Sequence, residues 1–379
     1  MTREPEYDVL VIGGGLAGLA LAIQLRSAGY NVIIMEKDNY PRHKVCGEYI
    51  STESKPFLQR IGLQLSDMQL PAINTLQVSD TKGLSIHTAL PQGGFGISRY
   101  KLDAALATLV QQKGGILLTD TKADEVQFAD GMFSVKAGNK IFSARVVCGT
   151  WGKRSNMDIK LQRPFMQQQK KALNNYVGVK YHIRYPWPEQ LIALHNFRDG
   201  YCGISRIEDD KCCLCYLTTA ANLQESGNDI KKMEQHILMQ NPHLQELFAN
   251  ADFLFEHPLT ISQISFERKG QVQDHILMLG DAAGMISPLC GNGMSMAFHA
   301  SLIAFDSVND FLQRTISRQQ MENTYTAKWK VQFSKRLSMG RFLQSRFGKE
   351  RTTAVFLGVL RTLPFLQRPL ISTTSGKPF

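Results

Sequence analysis

Tyr7-Asp-Val-Leu-Val-Ile-Gly13-Gly14-Gly15-Leu16-Ala17-Gly18, an apolar run to Ser27 closing at Gly29, and then Asn31-Val-Ile-Ile-Met-Glu36 decide the fold of this chain. The order is buried strand, glycine turn, helix, second strand, acid. In that order each residue has a physical job. Gly13 permits the tight turn, Gly15 lets the backbone approach a pyrophosphate, and Gly18 allows close packing of helix on strand. The helix N-terminus, with Leu16 and Ala17 in its first turn, offers free N–H groups to an anion. Glu36, about 20 residues on, accepts hydrogen bonds from a ribose hydroxyl. The pattern is that of a dinucleotide-binding unit. The seventeen uncharged residues between Asp8 and Arg26 mimic a membrane span, but they fall short of the ~20 needed and hold four glycines.

Two distant stretches have matching character. Asp274-His-Ile-Leu-Met-Leu-Gly280-Asp281 begins as a strand and ends in an acid, and Pro288-Leu-Cys290-Gly291-Asn292-Gly293-Met294 is a glycine-rich turn opening a helical run. An acid at a strand tip suits a polyhydroxyl chain. N–H groups at a helix start suit a ring edge on which negative charge grows. Ser98-Arg99-Tyr-Lys-Leu102-Asp103 puts an Arg just before an amphipathic helix (104–110), where it reaches a phosphate.

This set of motifs resembles the FAD-dependent monooxygenase and reductase superfamily of the p-hydroxybenzoate hydroxylase fold. Within it, Tyr40-Pro41-Arg42-His43-Lys44-Val45-Cys46-Gly47-Glu48 is most similar to the geranylgeranyl reductase branch. The resemblance implies an α/β fold: a Rossmann-like FAD-binding domain of the glutathione reductase type, an inserted antiparallel-sheet substrate domain and a helical C-terminal region. It implies FAD as cofactor, held by Gly13, Gly15, Leu16, Ala17, Gly18, Glu36, Lys37, Arg42 and Ala123 at the adenosine half and by Arg99 at the phosphates. Gly280 and Asp281 take the ribityl chain, Pro288, Gly291, Asn292, Gly293 and Met294 the ring, and Cys46 and Gly47 lie at its substrate face. NAD(P)H is the implied electron donor, but where related hydroxylases carry an Asp-Gly block this chain has Cys148-Gly149-Thr150-Trp151. The stretch Gly200–Ser205 also lacks the Trp and Pro of the reductase and halogenase signature blocks, which argues against a halogenase.

Composition narrows the function classes. Apolar residues make up 43% and charged residues 20%, which excludes a disordered chain. Of the net charge of +10, the stretch Lys328–Arg368 supplies +9, with ten basic residues and one acid, Glu350. No nucleic-acid-binding signature accompanies that charge. Interleaved with Phe and Leu, it predicts short amphipathic helices that either lie on anionic lipid or cover a greasy tunnel. Seven cysteines without framework spacing, and no signal peptide, point to a reduced, cytoplasmic chain, peripheral at most on the inner membrane surface.

The domains expected are 1–72 with 96–160 and 269–325 for FAD, 73–95 with 161–268 for substrate, and 326–379 as the basic tail. Cys212 and Cys215 have the spacing of half a zinc site but lack a second pair, so no metal is expected. Cys46, Cys290 and His43 are the candidate catalytic residues, the two cysteines as a redox pair or as packing beside the ring, and His43, like His299, as a proton donor. The expected function is an FAD-dependent oxidoreductase acting on a hydrophobic isoprenoid, lipid or aromatic polyketide, by C=C reduction or O2-dependent hydroxylation. The alternative is a flavin-binding electron carrier or a catalytically silent scaffold.

Overall fold

The computed structural model describes residues 6–153, 155–168, 176–374 and 376–379. Tyr7–Ile12 lies at the centre of the first sheet, hydrogen-bonded in parallel to Val32–Met35 on one side and Lys140–Gly149 on the other. Ile116–Leu118 and Ile276–Met278 extend the parallel set, and Glu125–Ala129 with Met132–Ala137 form a hairpin attached to Lys140–Gly149. A strand covered on both faces has no polar side, and Val9, Leu10 and Val11 are wholly buried. The helix Leu16–Ser27 crosses over the sheet, and the long helix Gly293–Leu312 packs on it, Gln24 Nε2 donating to Ser301 Oγ at 3.3 Å. Because Ile12, Gly149 and Met278 are in register, the loops after all three strands emerge along one edge. That edge carries the site.

The second sheet runs in the order Asp252–Phe253, Tyr176–Arg184, Cys212–Thr219, Gly200–Arg206, Leu191–Phe197, Ala72–Ser79, Ser85–Gly96 and Tyr49–Ser51, with Leu259–Ile264 also on Tyr176–Arg184. It is not purely antiparallel: Leu191–Phe197 pairs in parallel with Ala72–Ser79, where the two inserted segments meet. Tyr49–Ser51, placed by sequence with the FAD unit, pairs with Gly94–Gly96 of this sheet. Helices Ile230–His236 and Pro242–Asn250, with the turn Leu238–Gln240 between them, cover one face through Met233, Leu238, Leu244 and Leu247.

The other face lies against the C-terminal helices. These are not only short ones. Ser317 forms a capping box with Gln320 and starts a single 29-residue helix, Arg318–Arg346, across the expected boundary at 326. Glu350–Thr362 and Gln367–Thr374 follow. Among the described residues no single helix is long and apolar enough to cross a membrane.

Candidate functional site

The first end of the site is built around the glycine turn. Gly13 has φ +106°, and a Cβ there would lie 2.7 Å from Thr150 O; a Cβ on Gly18 would lie 2.3 Å from Gly13 O. Both positions therefore require glycine. Gly14 N–H donates to Glu36 Oε2 at 2.7 Å, Asp38 N–H donates to Oε1 at 3.1 Å, and Arg42 Nη1 sits 2.7 Å from Oε1. Burial alone would raise the Glu36 pKa, but the Arg42 hydrogen bond and the Lys44 and Arg42 charges hold it at about 2. The result is a fixed carboxylate with acceptor capacity left for ribose hydroxyls. Tyr40 Oη donates to Gly14 O at 2.5 Å, above the turn. Ala123 is buried two residues after Thr121, whose N–H reaches Glu36 O, while Lys37 is exposed.

Gly15 differs from Gly13 and Gly18. Its backbone is extended, and an added Cβ would meet nothing nearer than Lys44 Nζ and Thr150 O, each at 3.9 Å. That open space is bordered by cations. Arg99 begins the helix Arg99–Gln112, capped by Ser98, and its guanidinium grips buried Asp103 at 2.6 and 2.8 Å. Lys44 Nζ is 3.8 Å from the same carboxylate. Burial, then the neighbouring Arg99, lowers the Lys44 ammonium to about 8. Arg42, Lys44 and Arg99 stand against Glu36, Asp38 and Asp103, so the cluster is charge-balanced, and Lys44, 3.8 Å from Asp103, is the cation beside the open backbone of Gly15. This fits the diphosphate of FAD. Lys44 carries no motif signal of its own; its place beside Arg99 appears only in three dimensions.

The remaining loops are braced by residues that sequence reasoning missed. Arg163, fully buried, donates to Asp158 at 2.9 Å, Ala282 O at 2.9 Å and Gly270 O at 2.8 Å. Lys269 Nζ donates to Asp281 O at 2.8 Å and Lys153 O at 3.0 Å. Trp151 Nε1 donates to Asp158 Oδ1 at 3.0 Å, completing the brace under Gly280 and Asp281. Gly291 has φ +64°, and a Cβ there would press on the Tyr49 ring at 3.1 Å. Pro288 opens the short turn before it, Asn292 caps the next helix, and Gly293 and Met294 begin it with N–H groups that have no intrahelical partner.

Cys46 is a half-buried free thiol, and nothing lies within 4 Å of a Cβ placed on Gly47. The side chain of Cys290 is outside the described residues, and the pairing of Cys46 with Cys290 lies there with it. His43 packs in an aromatic cluster, 4.6 Å from Tyr100, 5.1 Å from His182 and 4.9 Å from Phe255. Burial, with the His182 and Lys180 charges, lowers it to about 4, so it is neutral at pH 7. His299 stacks on Phe379, and burial, then Arg336, lowers it also to about 4. Cys212, Cys213 and Cys215 sit on one strand, and burial pushes the Cys212 thiol to about 11 and the Cys215 thiol to about 12; these are packed thiols.

Beneath Cys46, Glu48 of the Tyr40–Glu48 block sits in a buried cluster whose other members carry no sequence signal. Glu48 accepts from Arg99 N–H and from His182 Nε2, each at 2.7 Å, and pairs with the fully buried Lys180. Glu48, His182 and Cys213 offer ligand atoms within 4.8 Å of one another. The Lys180 ammonium already holds the carboxylate, however, and a second cation there would be repelled. The group is an ion pair, not a metal centre.

Between the second sheet, the turn that begins at Pro288 and the C-terminal helices is a cavity of about 140 Å³. Tyr49, Pro288, Leu289, Gly291 and Asn292 form one wall, Leu76, Val78, Ile86 and Leu194 a second, and Leu343, Phe347, Leu357 and Leu360 a third. Its lining is overwhelmingly aliphatic and aromatic, and none of the lining residues is charged.

Residues 8–44 match the family described as FAD binding domain. Among curated proteins, the chain is similar to Conditioned medium factor receptor 1 of Dictyostelium discoideum, 25% identical over 371 residues, covering 90% of this chain and 71% of that protein. It is also similar to 1H-pyrrole-2-carbonyl-[peptidyl-carrier protein] brominase of Pseudoalteromonas luteoviolacea, 23% identical over 328 residues, covering 81% and 78%. Among solved structures, flavin-dependent brominase Bmp2 superposes with a TM-score of 0.78 at 16% identity, covering 97% of this chain and 93% of that one. The fold is thus the one that Bmp2 has, and the first sheet carries an FAD site.

Proposed function

We propose that this FAD-dependent oxidoreductase acts on an apolar small molecule held in the cavity beside Pro288–Asn292, an isoprenoid, lipid or aromatic polyketide by class. One observation carries the reading: the glycine turn that would meet the flavin ring is also a wall of an uncharged, apolar cavity. An electron carrier or a silent scaffold needs no such chamber. Bound FAD supplies two-electron chemistry, either hydride transfer to a C=C bond or activation of O2. In this reading Glu36 and Arg42 fix the ribose, Lys44 and Arg99 the diphosphate, and Asp281 the ribityl hydroxyls. The first N–H groups of the helix Gly293–Leu312 stabilise negative charge on the ring. The cavity walls orient the substrate and exclude water. Polar groups on the lining are few, Ser51, Thr88, Gln92, Asn292 and Gln367 among them, which agrees with a reaction run by the cofactor rather than by an acid–base pair.

C=C reduction is the preferred chemistry, on the Tyr40–Glu48 block; bromination, the activity in the names of two similar proteins, starts from the same bound cofactor. The test is anaerobic mixing of the purified yellow protein with NADPH and NADH, followed by addition of apolar alkenes. Bleaching of the flavin band names the donor, and its return without O2 establishes C=C reduction. Substrate-stimulated oxygen uptake points instead to hydroxylation. If neither follows while FAD stays bound, the protein is a scaffold.

A further inference from the structure

The C-terminal helices have a second face. Glu350–Thr362 turns its Leu357 and Leu360 into the cavity, while Val355 and Val359, 67% and 46% exposed, face solvent from the same turns. After a bend of 106°, the chain adds Leu363, Phe365 and Leu366, of which Phe365 is 70% exposed. Single exposed apolar residues are ordinary on a protein surface; five within twelve positions at one corner are not.

The charge beside this corner identifies what covers it. Arg351, Arg361 and Arg368 are exposed around it, and the one acid of the stretch, Glu350, lies 3.4 Å from Lys82. A second copy docking across a two-fold axis would bring two such sets of arginines together at one interface with only the two Glu350 side chains, each already beside Lys82, as acids of these segments. An anionic bilayer pairs with them and takes up the apolar side chains.

We propose that the corner formed by residues 350–373 seats in the surface of an anionic phospholipid bilayer and that the occupant of the cavity passes to it from that bilayer. The wall is one helix thick at this point, so Val355 and Val359 would sit among acyl chains while Leu357 and Leu360 touch the substrate. The proposal rests on the function proposed above for its choice of an apolar substrate, but the docking itself is independent of flavin chemistry.

The test uses the full FAD-loaded chain with vesicles of phosphatidylcholine, alone or mixed with phosphatidylglycerol. Co-sedimentation is expected with the anionic vesicles only, and it should fall in high salt. Arg361→Gln and Arg368→Gln should each weaken partitioning roughly fivefold. Phe365→Asp should abolish it while leaving the flavin spectrum and thermal midpoint in place, because the side chain is exposed. In Phe365→Trp, tryptophan emission should shift to the blue on adding anionic vesicles. Yellow protein that stays in the supernatant at low salt overturns the docking and leaves the flavin reading intact. Colourless protein that still sediments supports the docking and counts against the flavin reading alone. Self-association in the absence of lipid, lost in Phe365→Asp, assigns the corner to a second copy and overturns the proposal.

Discussion

The edge bearing the glycine turn and the apolar cavity are adjacent, yet they are held together by different physics. At the cofactor edge, Glu36, Arg42, Lys44, Arg99 and Asp103 form a polar cluster held by ion pairs at 2.6 and 2.7 Å, with Lys44 at 3.8 Å from Asp103. Across Tyr49, the cavity is walled by side chains from widely separated stretches of chain, most of them apolar and none charged. A buried charge without its partner is expensive, whereas an apolar wall asks only for the right volume. The first region should therefore break on changes of single atoms, and the second should tolerate exchange.

The largest expected effect is at Glu48. Glu48→Ala strands the buried Lys180 ammonium and should cost about 3–5 kcal/mol of stability, read by denaturant unfolding. The pair Glu48→Gln with Lys180→Met should recover most of that loss. Gly15→Ala comes next and separates binding from folding. Its methyl enters open space, so the thermal midpoint should hold, while FAD affinity falls about thirtyfold (~2 kcal/mol) by titration of the apoprotein. Gly18→Ala, which drives a Cβ toward Gly13 O, should instead lower the thermal midpoint.

A smaller effect follows from Lys44. Its folded value of about 8 lies below the ordinary lysine value, so between pH 8 and about 10.5 the unfolded chain binds the extra proton and apoprotein stability rises with pH. FAD affinity should move the other way, falling as pH climbs through 8 and the ammonium facing the diphosphate is lost. Lys44→Met should flatten that fall. The smallest effect is expected in the cavity: Leu357→Met should change stability by less than about 1.5 kcal/mol and leave FAD affinity alone, altering only which apolar compounds turn over.

The same contrast governed what the sequence could tell. The glycine turn, Glu36 and the turn at Gly291 were legible because a fixed backbone geometry demands fixed residue types at fixed spacing. The second sheet was expected as an inserted antiparallel domain, but the parallel pairing of Leu191–Phe197 with Ala72–Ser79 was not, since local sequence carries no partner information. Lys44, Lys180 and Arg163 escaped because their meaning comes from neighbours more than fifty positions away. The 29-residue helix was read as pieces because its apolar side chains answer to several packing surfaces in turn, which blurs any single stripe.

The strands of the two sheets alternate along the chain: first sheet at 7–35, second at 49–96, first at 116–149, second at 176–264, first again at 272–278. A chain emerging from the ribosome therefore cannot finish either layer before most of it has been made. Lys140–Gly149 waits with an uncovered backbone edge until Ile276–Met278 arrives, and the loop bearing Asp281 follows directly behind. Cofactor capture is thus tied to the last stages of synthesis, and dividing the gene at any point between these segments should yield two pieces that each lack part of a sheet.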